Sequence, residues 1–291
     1  MRIEFLASVI LISTLLISCE KSIEDPLLRK DRAGANRNTS GKRLSYGDAI
    51  FYLGKTPNEN RVQPVNKPDL QGKFVSIPGG LSLNKKTGEI DLSKSLTGQA
   101  YKIFYVTEDN RLIDSARIVI SGIDYEDGLY TIARNSKKFG KKAEAYYNDI
   151  KENPLQNSFL NAFEIVGNNR KNVVINPRTG SIDLEASVEA GLFGSKKPRN
   201  GASVEIKLEY KLADRSRRNK NRTELKLYYF EPGAEVPDEI KKTFEMREYI
   251  KKRVDAMPPP GWSSTDAPEV GNLIEEDIMA YKVRPPLIVI N

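Results

Sequence analysis

The 291-residue chain has no histidine, one cysteine (Cys19) and one tryptophan (Trp262). Each scarcity closes off a class of chemistry. Without histidine there is no Ser-His-Asp triad and no Cys-His pair, and a structural zinc site loses its usual ligands. A lone cysteine excludes a disulfide framework. Carboxylates, lysine, tyrosine, serine and threonine remain for catalysis. Two carboxylates alone can hydrolyse a glycosidic bond, but no paired-carboxylate motif stands out. The expectation is a protein that is not an enzyme, needing no cofactor or metal. A carboxylate-dependent hydrolase is the weakest alternative. Hydrophobic residues make up 39% and charged residues 29%, a balance that fits small domains joined by polar segments.

Long apolar runs are also scarce. The one at the start, residues 5–18, follows a short stretch carrying Arg2 and Glu4. Its 14 residues fall short of the roughly 20 that span a bilayer as a helix, so it reads as the apolar core of an export signal. It ends Leu16-Ile17-Ser18-Cys19, which resembles the lipobox of bacterial lipoproteins: an apolar residue, a small residue, then cysteine. The resemblance implies a diacylglyceryl group on the Cys19 thiol, cleavage before Cys19 and acylation of the new amino terminus. Each buried methylene of such chains adds about 0.8 kcal/mol to membrane anchoring. The polar residues that follow, to position 43, read as a flexible tether.

Two nine-residue segments repeat at a constant offset of 92, Asn84-Lys85-Lys86-Thr87-Gly88-Glu89-Ile90-Asp91-Leu92 and Asn176-Pro177-Arg178-Thr179-Gly180-Ser181-Ile182-Asp183-Leu184, with six of nine positions identical. The spacing suits a sandwich module of about 100 residues. Asn84 and Asn176 favour a turn by bonding their own backbone two residues on. Gly88 and Gly180 supply the left-handed residue that closes a hairpin. Ile90, Leu92, Ile182 and Leu184 are then expected to alternate inward along the returning strand. A calcium role for Asp91 and Asp183 would need six or more oxygens, and no acidic cluster surrounds either residue.

The segment Ile77-Pro78-Gly79-Gly80-Leu81-Ser82-Leu83, followed by Thr87-Gly88-Glu89-Ile90, resembles the putative-Ig, cadherin-like modules of bacterial surface proteins. The likeness runs over residues 61–122. A second module, about 138–231, keeps the threonine-glycine hairpin, lacks the proline-glycine opening and carries an insertion after Leu184. The resemblance implies β-sandwiches used as spacers or adhesion units, with no catalytic residues. Strand patterning agrees. Val204, Ile206, Leu208, Tyr210 and Leu212 alternate with Glu205, Lys207, Glu209 and Lys211, and Leu225, Leu227 and Tyr229 form the partner strand. Residues 101–106 and 117–120 play these parts in the first module.

The connection between the second module's long strands is basic. Residues 196–222 hold ten basic residues against Glu205, Glu209 and Asp214, an excess of seven that equals the net charge of the whole chain, +7. Arg215, Arg217, Arg218, Lys220 and Arg222 are therefore candidate contacts for an acidic partner, against the plainer reading of a solvated tip. The expectation is no nucleic-acid partner: it is a poor one for an exported lipoprotein, and no aromatics interleave these charges for stacking. Beyond, Pro237 opens a helical stretch carrying Ile240, Phe244, Ile250, Val254 and Met257, which Pro258-Pro259-Pro260 ends. A short helix over 270–281 and the apolar end Leu287-Ile288-Val289-Ile290 follow. That end either docks on its own modules or serves, with Trp262, as a partner-binding arm.

The expected architecture is mainly β: two tandem Ig-like β-sandwich modules plus a helical and extended C-terminal arm. The divisions are a signal at 1–18, a lipidated tether at 19–43, modules at 44–123 and 138–231, a linker at 124–137 and the arm at 232–291. The functional expectation is a lipid-anchored, non-catalytic interaction protein, an accessory subunit of a bacterial envelope assembly at the outer membrane. Its partners would be the membrane, through the lipid on Cys19, and an envelope protein. The alternative is a surface glycan-binding lipoprotein contacting acidic polysaccharide, weakened by the single tryptophan.

Overall fold

Period-two alternation builds the long strands where it was expected. The structure is a computed structural model and describes residues 42–108, 112–132, 142–154, 163–169, 171–256 and 287–290. Cys19, Trp262, Met257, the three prolines at 258–260 and the helix expected over 270–281 lie outside the described residues. In the first module the strands are β1 (Ile50–Phe51), β2 (Arg61–Val62), β3 (Lys73–Ile77), β4 (Ile90–Asp91), β5 (Ala100–Val106) and β6 (Leu112–Ile120). One sheet runs β1-β6-β5-β3, with β1 parallel to β6 and the other pairs antiparallel. The antiparallel pair β2-β4 forms a separate small sheet. Ile90 and Leu92 pack with Phe74, Tyr101, Ile103 and Ile118 in one buried cluster.

The second module contains β7 (Ile123–Tyr125), β8 (Gly128–Tyr130), β9 (Lys142–Ala143), β10 (Ala145–Tyr147), β11 (Ile150–Pro154), β12 (Phe163–Asn168), β13 (Val174–Ile175), β14 (Ile182–Asp183), helix α1 (Leu184–Glu189), β15 (Ala202–Leu212) and β16 (Lys220–Tyr229). Helix α2 (Asp238–Ala256) and β17 (Leu287–Ile290) complete the chain. The main sheet runs β12-β15-β16-β17-β8, flanked by β13-β14-β9 and β11-β10-β7. Val204, Ile206, Leu208, Tyr210 and Leu212 are all buried in the second core, as their alternation requires. The fold is thus mainly β, two Ig-like sandwich modules with a helical and extended C-terminal arm.

The stretch 124–137 is not simply a linker. Ile123, Tyr125 and Tyr130 belong to the second core, and β7 pairs with β10. The physical reason is a repeated contact. Tyr125 donates its hydroxyl to the Gly180 carbonyl at 2.6 Å, as Tyr46 does to that of Gly88 at 2.8 Å. Residues 123–130 are the opening strands of the second module; 133–137 lie outside the described residues.

The repeated motif folds twice by the same bonds. Asn84 Oδ1 accepts from the backbone of Lys86 and Thr87 at 3.0 and 3.2 Å, and Asn176 Oδ1 accepts from Arg178 and Thr179 at 2.9 and 3.2 Å. Gly88 and Gly180 donate back to the asparagine carbonyls at 2.8 and 2.9 Å. Both glycines are left-handed, at φ +76° and +69°, and each lies beneath a phenylalanine. A Cβ would fall 2.7 Å from Phe74 in one and 3.2 Å from Phe163 in the other.

The returning strands are shorter than expected, because the aspartates end them. Asp91 Oδ1 accepts from Ser93 N at 3.1 Å and opens a 3₁₀ turn, Leu92–Lys94. Asp183 Oδ1 accepts from Ala186 N at 3.0 Å and opens α1, which is the insertion after Leu184. Leu92 and Leu184 are buried as expected, but as the first residues of helical turns. A serine extends the repeat: Ser95 Oγ accepts from Ser82 N and donates to the Asp91 carbonyl, and Ser187 Oγ, 92 residues on, does the same with Val174 N and the Asp183 carbonyl.

The apolar end of the chain docks on its own second module. β17 inserts between β16 and β8, parallel to both. Ile288 and Ile290 enter the second core, and Val289 faces the other way, against Phe230 and Val236. Helix α2 bridges the modules. Ile240 and Phe244 pack against Phe230 and Val289, while Ile250 and Val254 pack on Ile77, Phe104 and Val106. Arg247 donates to both Asp127 oxygens at 2.9 Å, and Lys102 caps the helix at the Val254 carbonyl at 2.7 Å. All described residues accordingly fall in one compact unit, Arg37–Asn291.

Candidate functional site

The basic connection between β15 and β16 is not a free tip. Its root is fastened at the junction, to Ser121 and Leu53 of the first module and to Tyr147 of the second. Asp214 Oδ2 accepts from the hydroxyls of Ser121 (2.7 Å) and Tyr147 (3.1 Å), and Oδ1 accepts from Ser216 N (2.8 Å). Asn219 Nδ2 donates to the Leu53 carbonyl at 2.9 Å. The guanidinium of Arg215 lies 5.8 Å from the centre of the Tyr52 ring. The alternation places the tip outside the folded sheet; the structure instead wedges it between modules, because Asp214, Arg215 and Asn219 have partners there.

Residues 216–219 form the tip itself. Asn219 N donates to the Ser216 carbonyl at 3.0 Å, and the two central residues, Arg217 and Arg218, are both left-handed, at φ +52° and +61°. This is a primed type I turn, whose central positions favour Asn-Gly. A left-handed non-glycine residue costs about 1–2 kcal/mol. The ion pair of Arg218 with Glu164 is exposed on both sides, and such pairs contribute about 0–1 kcal/mol. The turn therefore holds its two arginines at a net cost. Two further costs sit in the same hairpin: Ser216 Oγ and Asn221 Oδ1 are buried with no hydrogen-bond partner among the described residues.

The five basic candidates separate. Arg217 and Arg218 form the tip, and Arg215 lies at its root over Tyr52. The Glu59 carboxylate is held below its ordinary range mainly by the Lys55 backbone and the Thr56 side chain, with the charge of Arg217 adding a smaller part. Lys220 lies on β16 and pairs with Glu209 at 3.1 Å. Arg222 is half-buried, its Nε reaching the Ser95 carbonyl at 3.4 Å, and belongs to the junction between modules. Trp262 and Cys19 lie outside the described residues.

Sequence reasoning missed the junction. Ile123 N donates to the Tyr210 hydroxyl at 2.8 Å, the Tyr210 and Thr97 hydroxyls are bonded at 2.6 Å, and Thr97 Oγ1 donates to the Arg222 carbonyl at 2.9 Å. Donors and acceptors line up as one chain, in which each bond polarises the next. Burial raises the Tyr210 hydroxyl well above its ordinary value of 10, so it stays a donor. Gly98, at φ +93°, leaves no room for a side chain: a Cβ would fall 2.0 Å from the Ile123 carbonyl oxygen. Tyr210 sits at an inward position of a clean alternation, so it reads as core filling. Chemically, the hydroxyl chain at the junction is bonded from end to end, and the turn beside it offers forked, charge-assisted donors.

No known family's profile matches the chain, and no curated protein matches it. Among solved structures it is similar to the N-terminal four Ig domains of Dscam1 isoform 4.4, at 7% identity and a TM-score of 0.18, over 62% of this chain and 48% of that one. The chain thus spans about half the length of that structure. A likeness this slight carries no argument about function.

Proposed function

We propose that the chain is a lipid-anchored, non-catalytic interaction protein, an accessory subunit of a bacterial envelope assembly. The observation that supports this best is mechanical. Two repeated modules are joined by a buried hydrogen-bond chain through Tyr210 and braced by α2. That body is a stiff spacer, and it follows a polar segment that begins at a lipobox-like Cys19. A spacer on a tether holds a contact surface away from a membrane; the surface in question is the basic turn. The test is Cys19→Ala with fractionation and metabolic palmitate labelling. The wild-type chain is expected in the membrane fraction and labelled. The variant is expected unlabelled and either soluble or unprocessed. An unlabelled wild-type chain, or a variant still in the membrane with unchanged mobility, contradicts the proposal.

A further inference from the structure

We infer that the turn at residues 216–219 is an arginine-presenting contact that takes a carboxylate-rich segment of a protein partner. The inference rests on the proposed reading of the chain as an interaction protein and names the chemistry of its contact. Three observations carry it. First, Arg217 and Arg218 occupy the two left-handed positions of a primed turn, where Asn-Gly would be relaxed, and an exposed ion pair recovers less than the backbone loses. Second, Ser216 Oγ and Asn221 Oδ1, buried and without a partner among the described residues, put further cost in the same hairpin. Strain of this kind concentrates where a site is used. Third, Arg218 already faces a carboxylate, that of Glu164. That glutamate stands in for a partner's side chain, and guanidinium matches carboxylate as a planar fork. A sugar ligand fits less well, because Tyr52, the aromatic ring at this surface, is covered by Arg215.

The experiment uses the full chain in mild detergent, with thermal unfolding and binding of a fluorescent decaglutamate peptide as the two measurements. Arg217→Asn/Arg218→Gly relaxes the turn and removes both charges. Its midpoint is expected to rise by about 3 °C or more, and its peptide affinity to fall at least about fivefold at low salt. Arg217→Lys/Arg218→Lys keeps the charge but not the fork, and is expected to bind with intermediate affinity. Binding by the wild type is expected to weaken steadily as salt rises. A relaxed variant that is no more stable, or that binds the peptide as the wild type does, overturns the inference. So does a wild type that binds polygalacturonate through these arginines and ignores the peptide, which makes the partner a polysaccharide. The peptide assay needs no native partner. A chain that binds decaglutamate through the turn yet purifies alone from native membranes sinks the envelope-assembly reading and leaves this one standing. Retention of a native protein partner by the relaxed variant does the reverse.

Discussion

Replacing Tyr210 with phenylalanine removes one oxygen and leaves the ring. The ring's stacking on Phe163, at 5.5 Å between centroids and 29° between planes, needs no hydroxyl. Two short bonds are lost, the one accepted from Ile123 N at 2.8 Å and the one shared with Thr97 Oγ1 at 2.6 Å, together with a long one to the Ile123 carbonyl at 3.5 Å. Ile123 is fully buried, so its N–H loses that partner where water does not reach. An orphaned buried donor costs about 1–3 kcal/mol, and a typical net hydrogen bond about 1. Tyr210→Phe is therefore expected to cost about 2–3 kcal/mol, read as a lower urea midpoint at unchanged slope. Thr97→Val tests the next link, because it removes the hydroxyl between Tyr210 and the Arg222 carbonyl. The double variant is expected to cost less than the two singles together by at least about 0.5 kcal/mol, since the residues share a bond. A loss under about 0.5 kcal/mol for Tyr210→Phe, or strict additivity in the cycle, refutes the idea that this chain of hydroxyls joins the modules.

Two further outcomes follow from burial. A chain ending at Pro286 loses β17, whose Ile288, Val289 and Ile290 are all fully buried; at about 1.5–3 kcal/mol each the loss rivals a typical domain's whole stability, so circular dichroism should show a body that is unfolded or has a far lower urea midpoint, and an unchanged midpoint contradicts the pairing of β17 with β16 and β8. Burial raises the hydroxyls of Tyr46, Tyr125, Tyr130, Tyr147 and Tyr210 above their ordinary value of 10, so below pH 10 their contribution is fully present, and above it the unfolded chain releases protons that the folded chain keeps. Unfolding free energy should fall steeply from about pH 10 upward; a flat profile to pH 11.5 contradicts the burial of these rings.

The hairpins were legible because their chemistry is local. Asn84 and Gly88, and Asn176 and Gly180, need only each other and the backbone between them. The same offset also relates Ser95 to Ser187, a signal present in the sequence and fully used in the structure. Alternation located β15 and β16 within a few residues at either end. It did not reveal β7 and β8, since strands of three residues are too short for a period to register. Nor did it show that Leu92 and Leu184 begin helical turns, because an aspartate cap competes with strand continuation only once the chain has reached it. The rest depends on distance along the chain. Tyr210 reaches Ile123 across 87 residues, Arg218 reaches Glu164 across 54, and β17 pairs with Lys226 and its neighbours after the whole of α2. A run of charges at 215–222 looks like solvated polymer until Asp214 and Asn219 are seen gripping Ser121 and Leu53 of the first module.

Affinity purification of the full-length chain from native membranes in mild detergent, at low and at high salt, tests the account most directly. The account predicts a protein partner with an acidic contact segment, recovered in near-stoichiometric amount at low salt and shed at high salt. A chain that purifies alone at low salt, or that brings down only polysaccharide, contradicts it.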